Sequence, residues 1–162
     1  MKVSVLLADK GKANPQQGTV DLLNVGWSIA TLVTGPTGLM TGPQAVAVFY
    51  EVELARCNKP LDLLIELVNA DGSIVELPGP AGPQLMQIRQ SVTIRIPPAP
   101  TGTPGTGNAL IEMYPGIPLA EGRYNWNVTL DGEHEEDWTA GFYVSSPQQP
   151  PVSFGATSPK SS

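Results

Sequence analysis

The stretch Gly122-Arg-Tyr-Asn-Trp-Asn-Val-Thr-Leu130-Asp-Gly132 decides the fold class of this chain. Over residues 124–130 apolar side chains alternate with polar ones, which is the period of a strand with one buried side and one side facing solvent. Asp131-Gly132 is a strong hairpin signal, and a second alternating run follows over residues 138–144. The segment therefore predicts an antiparallel hairpin in an all-β protein.

Short alternating runs recur along the rest of the chain and are separated by turn-forming residues. The predicted strands cover residues 2–8, 19–23, 27–32, 44–54, 61–69, 73–77, 86–96, 109–113, 122–130 and 138–144. The second and third are either separate strands or one strand bent at Gly26. Segments 34–43, 78–83 and 97–107 are rich in Gly and Pro and predict long irregular loops. About 8–10 short strands without a helical period predict an Ig-like, Greek-key β-sandwich.

Several aromatic residues have two possible roles. Trp126 and Trp138 alternate with other apolar residues, so we expect both to pack between the sheets, with a sugar-binding aromatic surface as the alternative. Tyr124 follows a turn in the arrangement of a tyrosine corner, which is a packing device of Greek-key sandwiches. Phe49 lies on the opposite side of its strand from the apolar row. Either that sheet is buried on both sides, or Phe49 is an exposed contact residue.

Length and composition favour one domain and exclude several function classes. A chain of 162 residues with 17 Gly and 17 Pro suits a single β-rich domain, which we place at residues 1–146, followed by a Pro/Ser/Gln-rich tail at 147–162. The net charge of −6, without clustered Lys or Arg, predicts no binding to nucleic acid. No apolar run has the length of a membrane span. Cys57, the single cysteine, excludes an internal disulfide and is expected to fill apolar space.

One segment resembles a phosphate-binding loop only superficially. Gly102-Thr-Pro-Gly-Thr-Gly107 has the glycine spacing of that motif, but Asn108 and Ala109 stand where it needs a lysine and a hydroxyl. A proline-rich segment precedes it where a strand is required, and no helix follows. We therefore expect a flexible connector and no nucleotide cofactor.

Catalytic and metal-binding signatures are similarly weak. In extended geometry Asp131, Glu133, Glu135 and Asp137 would share one face, which could attract a hard cation, but a solvated hairpin tip explains the same residues. His134 is the single histidine, and no Gly-x-Ser-x-Gly elbow accompanies it. We predict no catalytic, cofactor-binding or metal-binding residues.

Turn and core positions carry a resemblance that spans about residues 1–145. They are Val5-Leu-Leu-Ala-Asp9, Gly26-Trp27, residues 46–52, Leu63-Leu-Ile-Glu-Leu-Val-Asn-Ala-Asp-Gly72, Pro118-Leu119, Gly122-Arg-Tyr-x-Trp126, Asp131-Gly132-Glu133 and Glu136-Asp137-Trp138. Through them the chain resembles a family of small uncharacterised proteins of high-GC bacteria and their phages. The resemblance implies a compact β-sandwich without an assigned activity, so it transfers no functional residues. The 97–107 loop and the tail depart from that family's compactness.

These observations favour a structural role over catalysis. We expect a non-enzymatic protein of a large assembly, specifically a phage capsid decoration (minor capsid) protein. It would be made in the cytoplasm and located on the capsid exterior of the virion. Its partners would be other subunits, either the major capsid protein or further copies of itself. The predicted contacts are Val152 and Phe154 in the tail, together with Phe49, Leu39 and Met40.

The alternative is a cytoplasmic β-sandwich that binds a glycan, a peptide or a regulatory partner. A cluster of exposed tryptophans within one surface patch would favour it. The sequence leaves both hypotheses open.

Overall fold

The computed structural model describes residues 1–147 and confirms an all-β fold. Its thirteen strands are β1 (Lys2–Ala8), β2 (Lys10–Asn14), β3 (Thr19–Leu23), β4 (Ile29–Gly35), β5 (Gly38–Thr41), β6 (Gln44–Val52), β7 (Pro60–Asn69), β8 (Glu76–Gly79), β9 (Gly82–Leu85), β10 (Gln87–Thr93), β11 (Gly105–Met113), β12 (Gly122–Leu130) and β13 (Thr139–Ser145). A single turn of 3-10 helix, Leu54–Arg56, follows β6. Within the described range no helix has the length and apolar character needed to cross a bilayer.

Two sheets pack face to face as a β-sandwich. The larger has the order β10-β7-β12-β13-β4-β5, and the smaller has the order β1-β6-β11. Neighbouring strands are antiparallel except β13 and β4, which are parallel. Apolar side chains of β7, β12 and β6 fill the space between the sheets. Trp126 is fully buried and Trp138 is 2% exposed, which confirms their predicted packing role.

The smaller sheet is also covered on its outer side. The β2–β3 hairpin lies there, because Gly11 packs against Leu110 of β11. Asn108 Nδ2 donates to the carbonyl oxygen of Gly18, 2.8 Å away, and so fixes the hairpin tip. Ala45 and Ala47 on this side of β6 are fully buried. This arrangement supports the first alternative for Phe49, a sheet buried on both sides.

Some segments rich in Gly and Pro form strands, contrary to prediction. Segment 34–43 holds the end of β4 and all of β5, and segment 78–83 holds the facing ends of β8 and β9. Pro36-Thr37 and Pro80-Ala81 form the turns, where no ladder hydrogen bond is needed, whereas Pro78 and Pro83 face each other within the β8–β9 pair. β11 begins at Gly105, inside the predicted 97–107 loop. Pairing with a neighbouring strand overrides local composition in all three places.

Candidate functional site

An open cavity lies between the β3–β4 connection and the β5–β6 connection. It has a volume of about 550 Å³, and residues 24–27, 29–31 and 41–44 line it together with Asp9. We refer to it as the Trp27 cavity. Both connections are held by backbone hydrogen bonds to other parts of the sandwich, so the cavity has fixed walls.

The first wall is the β3–β4 connection. Asn24 and Gly26 have φ values of 52° and 88°, a conformation that suits Asn and Gly and turns the chain sharply. The backbone N–H of Gly26 donates to the carbonyl oxygen of Leu7 at 2.9 Å. At the other end of the connection, the N–H of Tyr143 donates to the carbonyl oxygen of Ser28 at 2.9 Å. The connection is therefore attached to β1 and to β13.

The second wall is the β5–β6 connection, which is organised around a buried hydroxyl group. Thr41 Oγ1 accepts hydrogen bonds from the backbone N–H of Ile117 and from Gln44 Nε2, both at 3.0 Å. The N–H of Thr41 donates in turn to the carbonyl oxygen of Ile117. Thr41 and Gln44 are the two buried polar side chains in the described range, at 1% and 2% exposure. Their network fixes the orientation of the Gln44 amide.

Two polar atoms of the lining residues have no hydrogen-bond partner within residues 1–147. They are the indole nitrogen of Trp27, a donor, and the side-chain oxygen of Gln44, an acceptor. Buried polar groups normally have partners, and an unpaired one costs about 1–3 kcal/mol. Both atoms are buried within the wall of the Trp27 cavity, so neither faces its open space.

The rim of the cavity is apolar and exposed. Val25 is 47% exposed and Ile29 is 64% exposed. Ile29 also borders a shallow groove of about 430 Å³ on the outer face of the larger sheet, where Arg123, Asn125 and Tyr143 are among the lining residues. The apolar rim thus continues from the cavity onto the outer face of the sheet.

A strand edge also opens beside the cavity. In the β4–β5 register Thr41 lies opposite Leu32, so β5 does not extend along residues 29–31. Those residues pair with β13 on one side and, in the described part of the chain, with no strand on the other. An unpaired edge can accept a further extended chain.

The predicted contact residues do not converge on this cavity. Leu39 is 53% exposed near the β4–β5 turn, whereas Met40 is only 5% exposed and packs against Gly35. The prediction of Met40 as a contact residue on the surface is therefore wrong. Gly35 has no side chain, and Met40 fills the space that this leaves. Phe49 is half-buried and borders a different groove, beside the β2–β3 hairpin. Val152 and Phe154 lie outside the described residues.

Sequence reasoning did not identify Val25, Trp27, Ile29 or Gln44 as site residues. The Gly26-Trp27 pair was the one available signal, since glycine at a turn followed by tryptophan can place an aromatic ring at the surface. The approach of residues 41–44 to this turn depends on tertiary structure and leaves no local pattern.

The acidic segment 131–137 is not extended, so its carboxylates do not share the single face that an extended segment would give them. Turns occur at 131–132 and 136–137. Arg56 pairs with Asp131 at 3.3 Å and with Glu133 at 2.5 Å. His134 Nδ1 lies 2.7 Å from the carbonyl oxygen of Val128. In residues 1–147 no three His, Cys, Asp or Glu side chains are grouped so that they could hold a metal ion.

A carboxylate marks the point where the chain leaves the sandwich. Glu121 accepts hydrogen bonds from the hydroxyl groups of Ser146 and Tyr143, and these bonds lower its pKa from the ordinary value. The hydrogen bond between Tyr143 and Glu121 raises the pKa of Tyr143, and the negative charge of Glu121 raises it further. Ser146 is thereby held on the β12 side of β13.

Comparison with known proteins adds no family to this description. The chain matches no protein-family model and shows no significant similarity to a curated protein. The family resemblance stated from the sequence stays a prediction. Function is therefore inferred from the cavity and its rim.

Proposed function

We propose that this protein is a non-enzymatic structural subunit of a larger protein assembly, docking onto neighbouring subunits through exposed apolar residues and its C-terminal segment. A phage particle is the proposed setting, where the chain would decorate the capsid exterior as a minor capsid protein. The observation that carries the assembly role is the exposed apolar rim formed by Val25 and Ile29 around a cavity with fixed walls. Exposed apolar patches on soluble domains commonly mark interaction sites.

The chemistry of the cavity supports binding more than catalysis. Asp9 is the one titratable side chain among the residues that line it, and Asn24 Nδ2 donates to its carboxylate at 2.8 Å. General acid–base and nucleophilic catalysis commonly use two cooperating groups, such as a carboxylate pair or a nucleophile beside a base. A site with one exposed carboxylate and an amide is suited to recognition.

Among binding roles, the tryptophans favour a protein ligand over a glycan. A sugar-binding platform would need exposed indole faces grouped on one surface, but Trp126 and Trp138 are buried. Trp27 is half-buried and packs against the core. A polypeptide partner is therefore the better match for the apolar rim.

The test is the mass of the purified chain in solution, measured by light scattering over a range of concentrations. The full chain is compared with a variant truncated after Ser146, which retains every strand because β13 ends at Ser145. We expect the full chain to form oligomers and the truncated chain to be a monomer with an unchanged thermal unfolding transition. Monomers in both cases, at every concentration, would exclude self-assembly through the tail.

A further inference from the structure

The C-terminal end of β13 is anchored in the core up to its last apolar residue. Phe142 is 3% exposed and Val144 is fully buried, whereas Ser146 and Pro147 are exposed. The position of the chain beyond Val144 therefore depends on the polar contacts of a few surface residues.

Two serine hydroxyl groups make such contacts, one on each side of the strand end. Ser145 Oγ lies 3.4 Å from Thr31 Oγ1 of β4, which is a long contact between two neutral groups. Ser146 Oγ donates to Oε2 of Glu121, the residue that precedes β12. Hydrogen bonds to a charged acceptor are stronger than those between neutral groups. The contact with Glu121 is therefore the stronger of the two.

The Glu121 carboxylate is itself held in place by the larger sheet. Its other oxygen, Oε1, accepts a hydrogen bond from the hydroxyl group of Tyr143 at 3.0 Å. Tyr143 lies opposite Arg123 in the β12–β13 pair, and its backbone N–H donates to the carbonyl oxygen of Ser28. Glu121 therefore connects the sheet, through one oxygen, with the departing chain, through the other.

The sequence that follows favours keeping a fixed starting direction. Pro147 comes directly after Ser146, and a proline restricts its own φ and disfavours a helical conformation of the residue before it. Residues 147–151 contain three prolines, and proline-rich segments act as semi-rigid spacers. A contact at the base of such a segment limits the directions in which the segment can extend.

We infer that Glu121 is a positioning residue for assembly, because it holds Ser146 and thereby presents the C-terminal segment to neighbouring subunits. The inference rests on the proposed function, since it requires that this segment docks. A segment whose first residue is already ordered loses less conformational entropy on docking. Loss of the contact should therefore weaken association while the sandwich stays folded.

The experiment measures the mass of the full-length chain by light scattering over a range of concentrations. Ser146→Ala removes the donor, and Glu121→Ala removes the acceptor. We expect each to raise the concentration needed for association about tenfold, the effect of ordering one additional residue on docking. Ser146 is exposed and lies beyond the last strand, so Ser146→Ala should remain folded, which thermal unfolding verifies.

Three further variants separate this contact from a general effect of substitution. Ser146→Thr keeps a hydroxyl group and should associate like the native chain. The double variant Ser146→Ala with Glu121→Ala should associate no more weakly than Ser146→Ala alone, because both lack the same contact. Ser145→Ala is the matched control, since the hydroxyl group of Ser145 contacts Thr31 and not Glu121. We expect native association from it.

Three results would overturn the inference. Native association of Ser146→Ala and Glu121→Ala, together with a monomeric chain truncated after Ser146, would show that the segment docks without Glu121, and the proposed function would stand. Additive losses in the double variant would show that the two residues act separately. A native full-length chain that is monomeric at every concentration would remove both the inference and the proposed self-assembly.

Discussion

Trp27 packs edge-on against Phe142, with the ring centroids 5.7 Å apart and the ring planes at 80°. Phe142 is buried, and a second aromatic ring, that of Tyr124, stacks on it at 5.8 Å and 28°. The β3–β4 connection is therefore attached to the core through an aromatic contact as well as through backbone hydrogen bonds. This contact holds the Trp27 ring against the core.

The first prediction concerns this contact. Phe142→Ala should lower the free energy of unfolding by about 3–5 kcal/mol, because it opens a cavity in the core. It should also loosen Trp27, and acrylamide quenching should detect this because Trp126 and Trp138 are buried. Phe142→Leu keeps most of the core volume and is expected to have smaller effects on both quantities. Unchanged quenching in a folded Phe142→Ala variant would contradict a positioning role for Phe142.

The second prediction concerns the wall that holds Gln44. Gly116 has a φ of 149°, and a Cβ atom there would collide with the carbonyl oxygen of Thr41. Gly116→Ala should therefore destabilise the fold by more than about 1–3 kcal/mol, the usual cost of a strained backbone, because the collision adds to the strain. Gly42→Ala is the control, since a Cβ atom at Gly42 meets no atom within 4 Å. Urea unfolding of both variants makes the comparison, and equal midpoints would contradict it.

The third prediction concerns the hydrogen bond that fixes the start of β12. The hydroxyl group of Tyr124 donates to the carbonyl oxygen of Ala120 at 2.9 Å, and its ring is buried. Tyr124→Phe should cost about 0.5–1.5 kcal/mol of unfolding free energy. Tyr114 is 86% exposed, so Tyr114→Phe should leave the stability unchanged. Chemical denaturation of the two variants tests this, and indistinguishable curves would show that the hydroxyl group adds no stability.

The fourth prediction is a pH dependence at Glu121. Its hydrogen bonds from Ser146 and Tyr143 lower its pKa in the folded state below the ordinary value of 4.5. A lowered pKa gives a stabilising contribution that is present above the ordinary pKa and is lost as the pH falls through the lowered one. Glu121→Gln should therefore reduce the unfolding midpoint at pH 7, and the difference from wild type should disappear at strongly acidic pH. A difference that persists unchanged at low pH would contradict this origin.

The sequence predicted the elements whose side chains alternate over several residues. β1, β7 and β12 lie close to their predicted positions because each has one apolar face that packs between the sheets. Trp126 was placed in the core for the same reason. The alternation in these strands reflects burial directly, so it is visible without tertiary information.

The remaining elements depend on contacts between distant residues. β5 and β9 are short and contain or adjoin glycine and proline residues. Each forms a strand because it pairs with a neighbouring strand. The Trp27 cavity combines residues 24–27 and 29–31 with residues 41–44, and Ile117 positions the last of these segments through its hydrogen bond to Thr41. No local sequence pattern predicts that these segments lie side by side. The sequence also gave no indication of how exposed Met40 is, because its burial depends on the space beside Gly35.

The central claim is that the chain docks onto neighbouring subunits through the exposed apolar rim formed by Val25 and Ile29. The most direct measurement is the mass in solution of the native chain, of Val25→Ser and of Val33→Ser over a range of concentrations. Val33 has the same 47% exposure as Val25 but does not line the cavity. We expect the native chain and Val33→Ser to associate and Val25→Ser to stay monomeric. Equal association of all three chains would contradict the account.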